Sequence, residues 1–299
     1  MPKLIGRTGD EMRILMSGNR INLCYPNIPV IENKVNLNYF HSGFQKAKKN
    51  QTDSGARNLG DDIAPVLVEY MLKSKGLSLH DQSMETKHLY TIGSILFMGH
   101  QDATVWGSGI LTKPTALREW IHNSWLRRLD IRCVRGPYTR QVLQKVGHDC
   151  PAVYGDPGCL LPLMYHPHTE KKLDFVVIPH VSMEKEIRKV LPEEYIVSMA
   201  TEDYKTVIDK ICSAEKVIAS SLHGIVFSEA YHIPTIFFQD REERFNFKYA
   251  DWYEGTGRKR WDTATVLEDA IKMNPMPAPD LSLIQQALIE SFPYDLWRM

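Results

Sequence analysis

Val217-Ile218-Ala219-Ser220-Ser221-Leu222-His223-Gly224 decides how this chain folds. Three apolar residues end in two serines, and a second, longer apolar run begins at once. The first run, closed by a polar turn, predicts a buried strand over 216–220; the second predicts a helix over 222–231. Serines at such a junction accept hydrogen bonds from the first N–H groups of the helix, and those groups, together with the helix dipole, favour an anion. Gly224 lets a ligand or a neighbouring backbone come close. His223 projects from the first helical turn. It reads either as a side chain facing whatever occupies a ligand site or as part of a capped helix whose histidine is satisfied by backbone.

The same alternation extends outward. Upstream, 173–178 reads as strand, 183–190 as helix, 195–199 as strand and 204–213 as helix; downstream, 235–238 reads as strand. Strands alternating with helices imply a parallel sheet covered on both faces. The Pro-rich run 274–279 precedes a last helix at 281–291. Nearer the N-terminus, strands are expected at 21–25, 35–40, 103–106, 131–134 and 152–154. Helices are expected at 63–72, with Pro65 in the first turn, at 116–126, and at 138–146, closed by Gly147. The polar, basic stretch 45–57 reads as a loop, and Tyr165–Lys172, rich in His, Pro and Lys, as a linker. A chain of 299 residues exceeds what one compact core holds. The reading is therefore an N-terminal domain over 1–165, a C-terminal domain over 166–275, and a helix in 276–299 packing back across both.

Composition excludes several classes. Lys plus Arg and Asp plus Glu both number 36, so the formal charge is zero and the basic excess of a nucleic-acid binder is missing. The basic runs Lys46, Lys48, Lys49 and Arg258, Lys259, Arg260 read as solvated loop faces. The five cysteines form no CxxC pair, which suits reduced thiols in a cytoplasmic protein. Charges at Lys3, Arg7, Asp10, Glu11 and Arg13 interrupt any leader-like apolar segment, and no apolar run reaches membrane-spanning length. His166 and His168 have metal-compatible spacing, but a Pro-rich linker fixes ligands poorly, so they read as a solvated loop.

Parallel sheets bind ligands beyond the carboxyl ends of their strands. That rule selects Gly107–Gly109, Arg135–Tyr138, Gly155–Gly158 and Ser220–Gly224. Arg135, at a strand end, reads either as a fork for a carboxylate or phosphate or as a surface arginine beside a turn. Asp61 and Asp62 open a helix, where acidic residues favour the dipole with or without a substrate. Gly107-Ser108-Gly109 is a permissive turn, and Gly155-Asp156-Pro157 reads as a tight structural one.

Taken in order, Asn58-Leu59-Gly60-Asp61-Asp62, Trp106-Gly107-Ser108-Gly109, Val134-Arg135-Gly136, Gly155-Asp156-Pro157, Ser220–Gly224 and Glu229-Ala230-Tyr231-His232-Ile233-Pro234 resemble the polysaccharide pyruvyltransferase family. The likeness runs from the first motif to Trp252 and is greatest to the exopolysaccharide and capsule branch. It implies an α/β fold of two Rossmann-like domains in a GT-B-type arrangement with a central cleft. It further implies phosphoenolpyruvate as donor, a sugar in a nucleotide-linked, lipid-linked or polymeric glycan as acceptor, and no metal or cofactor. A lipid-linked acceptor would bring the protein to a membrane surface. By motif, His223 matches the family's general acid and Arg135 an arginine that holds the donor. Asp61 or Asp62 is expected to orient or deprotonate the acceptor hydroxyls. Asn58, Gly60, Gly107, Ser108, Ser220, Ser221 and Gly224 fall in the binding motifs. Other branches carry arginine where this chain has Ser221; Lys248 is the expected replacement cation and Arg57 a weaker one.

Two other functions fit the same motifs. A GT-B glycosyltransferase using a nucleotide sugar would share fold and cleft. Its signature glutamate lies eight residues after the histidine, however, and Glu229 follows His223 by six, on a different part of the helix face. A catalytically silent glycan-binding protein would keep the fold without the chemistry.

Overall fold

The computed structural model describes residues 30–38, 57–96, 102–113, 127–239 and 246–297. The strand expected at 21–25, the helix at 116–126 and the loop at 45–57, save Arg57 itself, lie outside the described residues.

The first half contains β1 (Val35–Asn38), α1 (Leu59–Asp62), α2 (Ala64–Lys73), β2 (Lys87–Tyr90), β3 (Ala103–Trp106), β4 (Leu129–Cys133) and α3 (Pro137–Lys145). A 3-10 turn at Pro157–Leu160 leads into α4 (Leu161–Met164). The second half contains β5 (Val176–Ile178), α5 (Glu184–Val190), α6 (Tyr204–Cys212), β6 (Val217–Ala219), α7 (Leu222–Ala230), β7 (Thr235–Phe238), α8 (Asn246–Gly255), β8 (Thr263–Ala264) and α9 (Leu267–Lys272). The last helix is α10 (Ser282–Glu290). Strands β1 to β4 form one four-stranded sheet and β5 to β8 another, each in chain order with every pairing parallel. Two parallel sheets with intervening helices are consistent with Rossmann-like α/β units.

The sequence explains this layering. Strands β3, β5, β6 and β7 are buried at every position, as near-continuous apolar strands are when both sheet faces are covered. Helix α2 turns Ala64, Leu67, Val68, Met71 and Leu72 into the core, with proline in its first turn. All nine residues of α7 are buried, so it lies inside the protein rather than on a face.

Two expected strands shrink. Residues 152–154 contribute a single bridge, Val134 to Tyr154, and residues 195–199 a single bridge, Val177 to Ile196. In the second case a 3-10 turn at Glu193–Tyr195 occupies the start of the stretch, and Ile196 N–H bonds back to Glu193 O, which leaves Val197 N–H to reach Val177 O. Strands β2 and β8 and helices α8 and α9 are additions to the sequence reading.

Residues 165–172 have neither helix nor strand and link the two halves. Leu59 N–H donates to Met199 O at 2.8 Å, tying α1 to the second half. One apolar cluster runs through Leu59, Leu67, Trp106, Phe227, Trp252 and Leu288. Helix α10 returns to the first half: Trp106 Nε1 donates to Leu288 O at 2.9 Å, and Gln285 Nε2 to Cys159 O at 2.8 Å.

Candidate active site

The Ser220–Gly224 turn joins β6 to α7. Ser221 caps the helix, its hydroxyl accepting from Gly224 N–H at 3.4 Å. Ser220 Oγ accepts from His180 N–H at 2.9 Å, and Ser220 O accepts from the Tyr249 hydroxyl at 2.7 Å. A Cβ on Gly224 would stand 2.8 Å from Ile178 Cγ2, so this glycine serves the close packing of α7 on β5.

His223 is 6% exposed and lies where α7 meets α1. One edge of its ring rests on Gly60, where a Cβ would overlap Nδ1. Phe227, one helical turn on, stacks on it at 5.9 Å between ring centroids. The opposite nitrogen, Nε2, faces Asp156 Oδ2 at 3.5 Å. Asp156 is fully buried, and its Oδ1 accepts from Gly158 N–H at 2.9 Å, which caps the 3-10 turn. His223 Nε2 and Asp156 Oδ2 are both sealed from solvent and neither makes a hydrogen bond. Gly155-Asp156-Pro157 is thus a structural turn, as expected, and it also aims a carboxylate at the histidine. The sequence signal was present in the motif, but a Gly-Asp-Pro turn explains itself without a partner.

The structure separates the two aspartates of α1. Asp62 is half-buried and its Oδ2 accepts from Asn58 N–H at 3.1 Å, the reciprocal half of a helix cap. Asp61 is buried and receives the Asn58 side-chain amide. Burial pushes the Asp61 carboxyl up to about 6; the charges of His223 and Lys248 pull the other way, and those of Asp156 and Asp62 add to the rise. Asp61, not Asp62, therefore shares the environment of His223. Lys248, on α8, acts on the same carboxylate, and its ammonium lies 4.8 Å from the Tyr249 ring centroid.

The other expected site residues lie elsewhere. Arg135 is wholly buried and its guanidinium is engaged inside the protein: Nε donates to Asp251 Oδ2 at 3.1 Å, Nη1 to Ser94 Oγ at 2.6 Å and Nη2 to Ile110 O at 2.6 Å. It is neither the surface arginine nor the outward-facing fork of the two sequence readings. Asp251 supplies the reason, a buried carboxylate on α8 that also accepts from Tyr138 N–H, Thr139 N–H and Thr139 Oγ1. Ser108 Oγ donates to Gly93 O at 3.0 Å, and Gly107, at φ +83°, has Pro157 packed against its Cα. Arg57 pairs with Glu202 at 2.6 Å on the surface. Arg258 corrects the expectation of a solvated basic run, since it grips the buried Glu229 with two bonds of 2.7 Å. Glu229 also accepts from Thr235 Oγ1 and Trp252 Nε1, each at 2.8 Å.

Among the described residues, no helix is long and apolar enough to cross a membrane. An uncharacterized protein of Acanthamoeba polyphaga mimivirus is 23% identical over 186 residues, 59% of this chain, and the match spans 62% of that relative's length. No solved structure matches the chain significantly. Residues 101–240 match the family model described as Polysaccharide pyruvyl transferase. That segment, a little under half of the chain, holds β3, β4, the Asp156 turn, β6 and α7 with His223.

Proposed function

We propose that this protein transfers the pyruvyl group of phosphoenolpyruvate to a sugar of a cell-surface glycan or its precursor, with His223 as general acid. The observation that carries the reading is the meeting of a buried histidine with two buried carboxylates, Asp61 and Asp156, inside or beside the family segment. Clustered titratable groups in a buried setting are what acid–base chemistry requires.

In the proposed reaction His223 gives a proton to the methylene carbon of the donor, the C=C electron pair forming the new C–H bond. The neighbouring carbon becomes electron-poor and takes the oxygen of one sugar hydroxyl, whose proton passes to Asp61. Phosphate then leaves with its bonding pair, and a second hydroxyl closes the cyclic ketal, its proton passing to the now neutral His223. Lys248 supplies positive charge to the donor, and the N–H groups at the start of α7 add to it. Arg135 serves the same end at one remove, through Asp251 on the helix that carries Lys248. The GT-B-type arrangement with a cleft, the absence of a cofactor and the cytoplasmic location belong to this proposal, as does a membrane-bound acceptor.

One observation weakens the nucleotide-sugar alternative. A glycosyltransferase of that kind needs its glutamate for the nucleotide, and both oxygens of Glu229 are held by Arg258, Thr235 and Trp252. The test is phosphate release from phosphoenolpyruvate across a panel of sugar acceptors. Acceptor-dependent release is expected, and His223→Ala should lower it roughly 10²–10⁴-fold. Release unchanged in that variant would refute the role of His223; a melting-temperature rise with nucleotide sugars and none with phosphoenolpyruvate would favour the alternative.

A further inference from the structure

We propose that His223 works through Nδ1, the nitrogen on its Gly60 edge, and that Asp156 is a positioning residue that holds Nε2. The assignment rests on the preceding reading of His223 as a proton carrier and specifies which atom carries the proton.

The two nitrogens of the ring have opposite surroundings. Nε2 is sealed, and the polar atom facing it is Asp156 Oδ2, 3.5 Å away and equally sealed and unbonded. A buried donor or acceptor left unsatisfied costs roughly 1–3 kcal/mol, and more when charged. Two such atoms facing each other remove both penalties if Nε2 bears a hydrogen and the pair closes by a few tenths of an ångström. Asp156 is held for this role, because its other oxygen is fixed by Gly158 N–H at 2.9 Å. The Gly155 behind it is wedged against α10, where a Cβ would lie 2.8 Å from Leu288 Cδ1 and 2.9 Å from Ile284 Cγ2. Last, Phe227 stacks on the ring and restricts its rotation.

Nδ1 is not among the sealed, unbonded atoms, and no hydrogen bond within the described residues engages it. The residue over it is Gly60, where any side chain would occupy the space in front of that nitrogen. Asp61 follows at once in α1, and its buried carboxyl interacts electrostatically with His223. The charged groups facing this region are Asp156 from the 3-10 turn, Asp61 and Asp62 from α1, and Lys248 from α8.

The chemistry follows from this placement. With Asp156 ionised, the neutral ring keeps its hydrogen on Nε2 and presents a lone pair at Nδ1. The protonated ring carries an Nδ1–H, which leaves for the donor's methylene carbon while the C=C pair makes the bond. The ring returns to the neutral Nε2–H form, and Asp156 stabilises the cation before transfer without itself taking the proton. Gly60 is then required for access, which gives the first family motif a role in the acid step.

The tautomer can be read without any assay. Long-range ¹H–¹⁵N spectra of the full chain, with His223→Gln used to assign the resonances, should show neutral His223 as the Nε2–H form. Asp156→Asn should shift that population toward Nδ1–H and lower phosphate release about 10²–10⁴-fold with the KM for phosphoenolpyruvate little changed. An Nδ1–H tautomer in the native chain overturns the proposal, whatever the variants do. So does an Asp156→Asn protein with native tautomer and native turnover. If the Nε2–H form is found and lost in the variant, yet no acceptor elicits phosphate release, the pair stands and the donor reading fails.

Discussion

Asp251 and Glu229 are buried as completely as Asp156, yet they are treated differently by their surroundings. Asp251 accepts from Arg135, Tyr138 and Thr139, and Glu229 from Arg258, Thr235 and Trp252, so every carboxylate oxygen in both is occupied. Asp156 has one oxygen bonded and the other open toward an equally open histidine nitrogen. Both satisfied carboxylates bond to or lie on α8, which they fasten to α3 on one side and α7 on the other. The unsatisfied one fastens nothing across elements. Buried charge that is fully paired holds the fold together, whereas the half-paired carboxylate is the one that meets the histidine of the proposed acid step.

Removing a partner from a satisfied network should have the largest effect. Asp251→Ala leaves the Arg135 guanidinium buried without its counter-charge and frees the donors of Tyr138 and Thr139. The expected loss is about 3–5 kcal/mol of stability, measured by urea denaturation. Asp156→Asn, by contrast, should cost about 1 kcal/mol or less, since the amide oxygen still accepts from Gly158 N–H. Equal losses in the two variants would erase the distinction between the networks.

Asp61 sharpens the comparison through pH. Its folded-state value of about 6 lies above the ordinary 3.8, so the native protein holds this proton more tightly than the unfolded chain. Its contribution to stability is therefore greatest below about pH 4 and falls as pH rises to 6, by about 3 kcal/mol in all. Asp61→Asn removes the ionisation while keeping an oxygen for the Asn58 amide. The variant should be more stable than the native protein at pH 8, by up to about 3 kcal/mol, with the difference vanishing near pH 4. Parallel stability curves for the two proteins would show that Asp61 is not strained by burial.

These networks also mark what was legible in the chain. The β6–turn–α7 unit was readable because apolar Val217–Ala219 and the largely apolar Leu222–Ala230 are separated by two serines, a pattern local in sequence. Helix α8 was not, because Asn246–Gly255 mixes aromatic, acidic and basic residues without an apolar stripe. Its burial depends on Asp251 and Trp252 meeting Arg135 and Glu229, each more than twenty positions away. Arg135 and His223 were singled out from their turns, but the buried carboxylate that each one meets was not. Arg135 meets Asp251 and His223 meets Asp156 only after the halves assemble. The pairing of Asp61 with the site and of Asp62 with the cap differs for adjacent residues of one helix, and only the direction each side chain takes tells them apart.

Asp62→Ala tests that division at a smaller scale. Loss of its bond to Asn58 N–H should cost about 1 kcal/mol, the usual value of a helix cap, and leave the pH dependence of stability in place. A variant that abolished the pH dependence would show Asp62, not Asp61, to be the titrating group.

The smallest effect belongs to Arg57, the weaker of the two cations considered for the donor. Its pair with Glu202 is short, at 2.6 Å, but the side chains are 50% and 64% exposed, and water screens such pairs to about 0–1 kcal/mol. Arg57→Ala should therefore change stability by about 0.5 kcal/mol or less, and the KM for phosphoenolpyruvate by less than about twofold. Lys248→Ala, which removes the ammonium whose charge reaches buried Asp61, should raise that KM several-fold and raise the Asp61 pKa further. If instead Arg57→Ala weakens donor binding and Lys248→Ala does not, the donor's charge is met at the exposed edge of α1 rather than beside α8, and the cation role passes to Arg57.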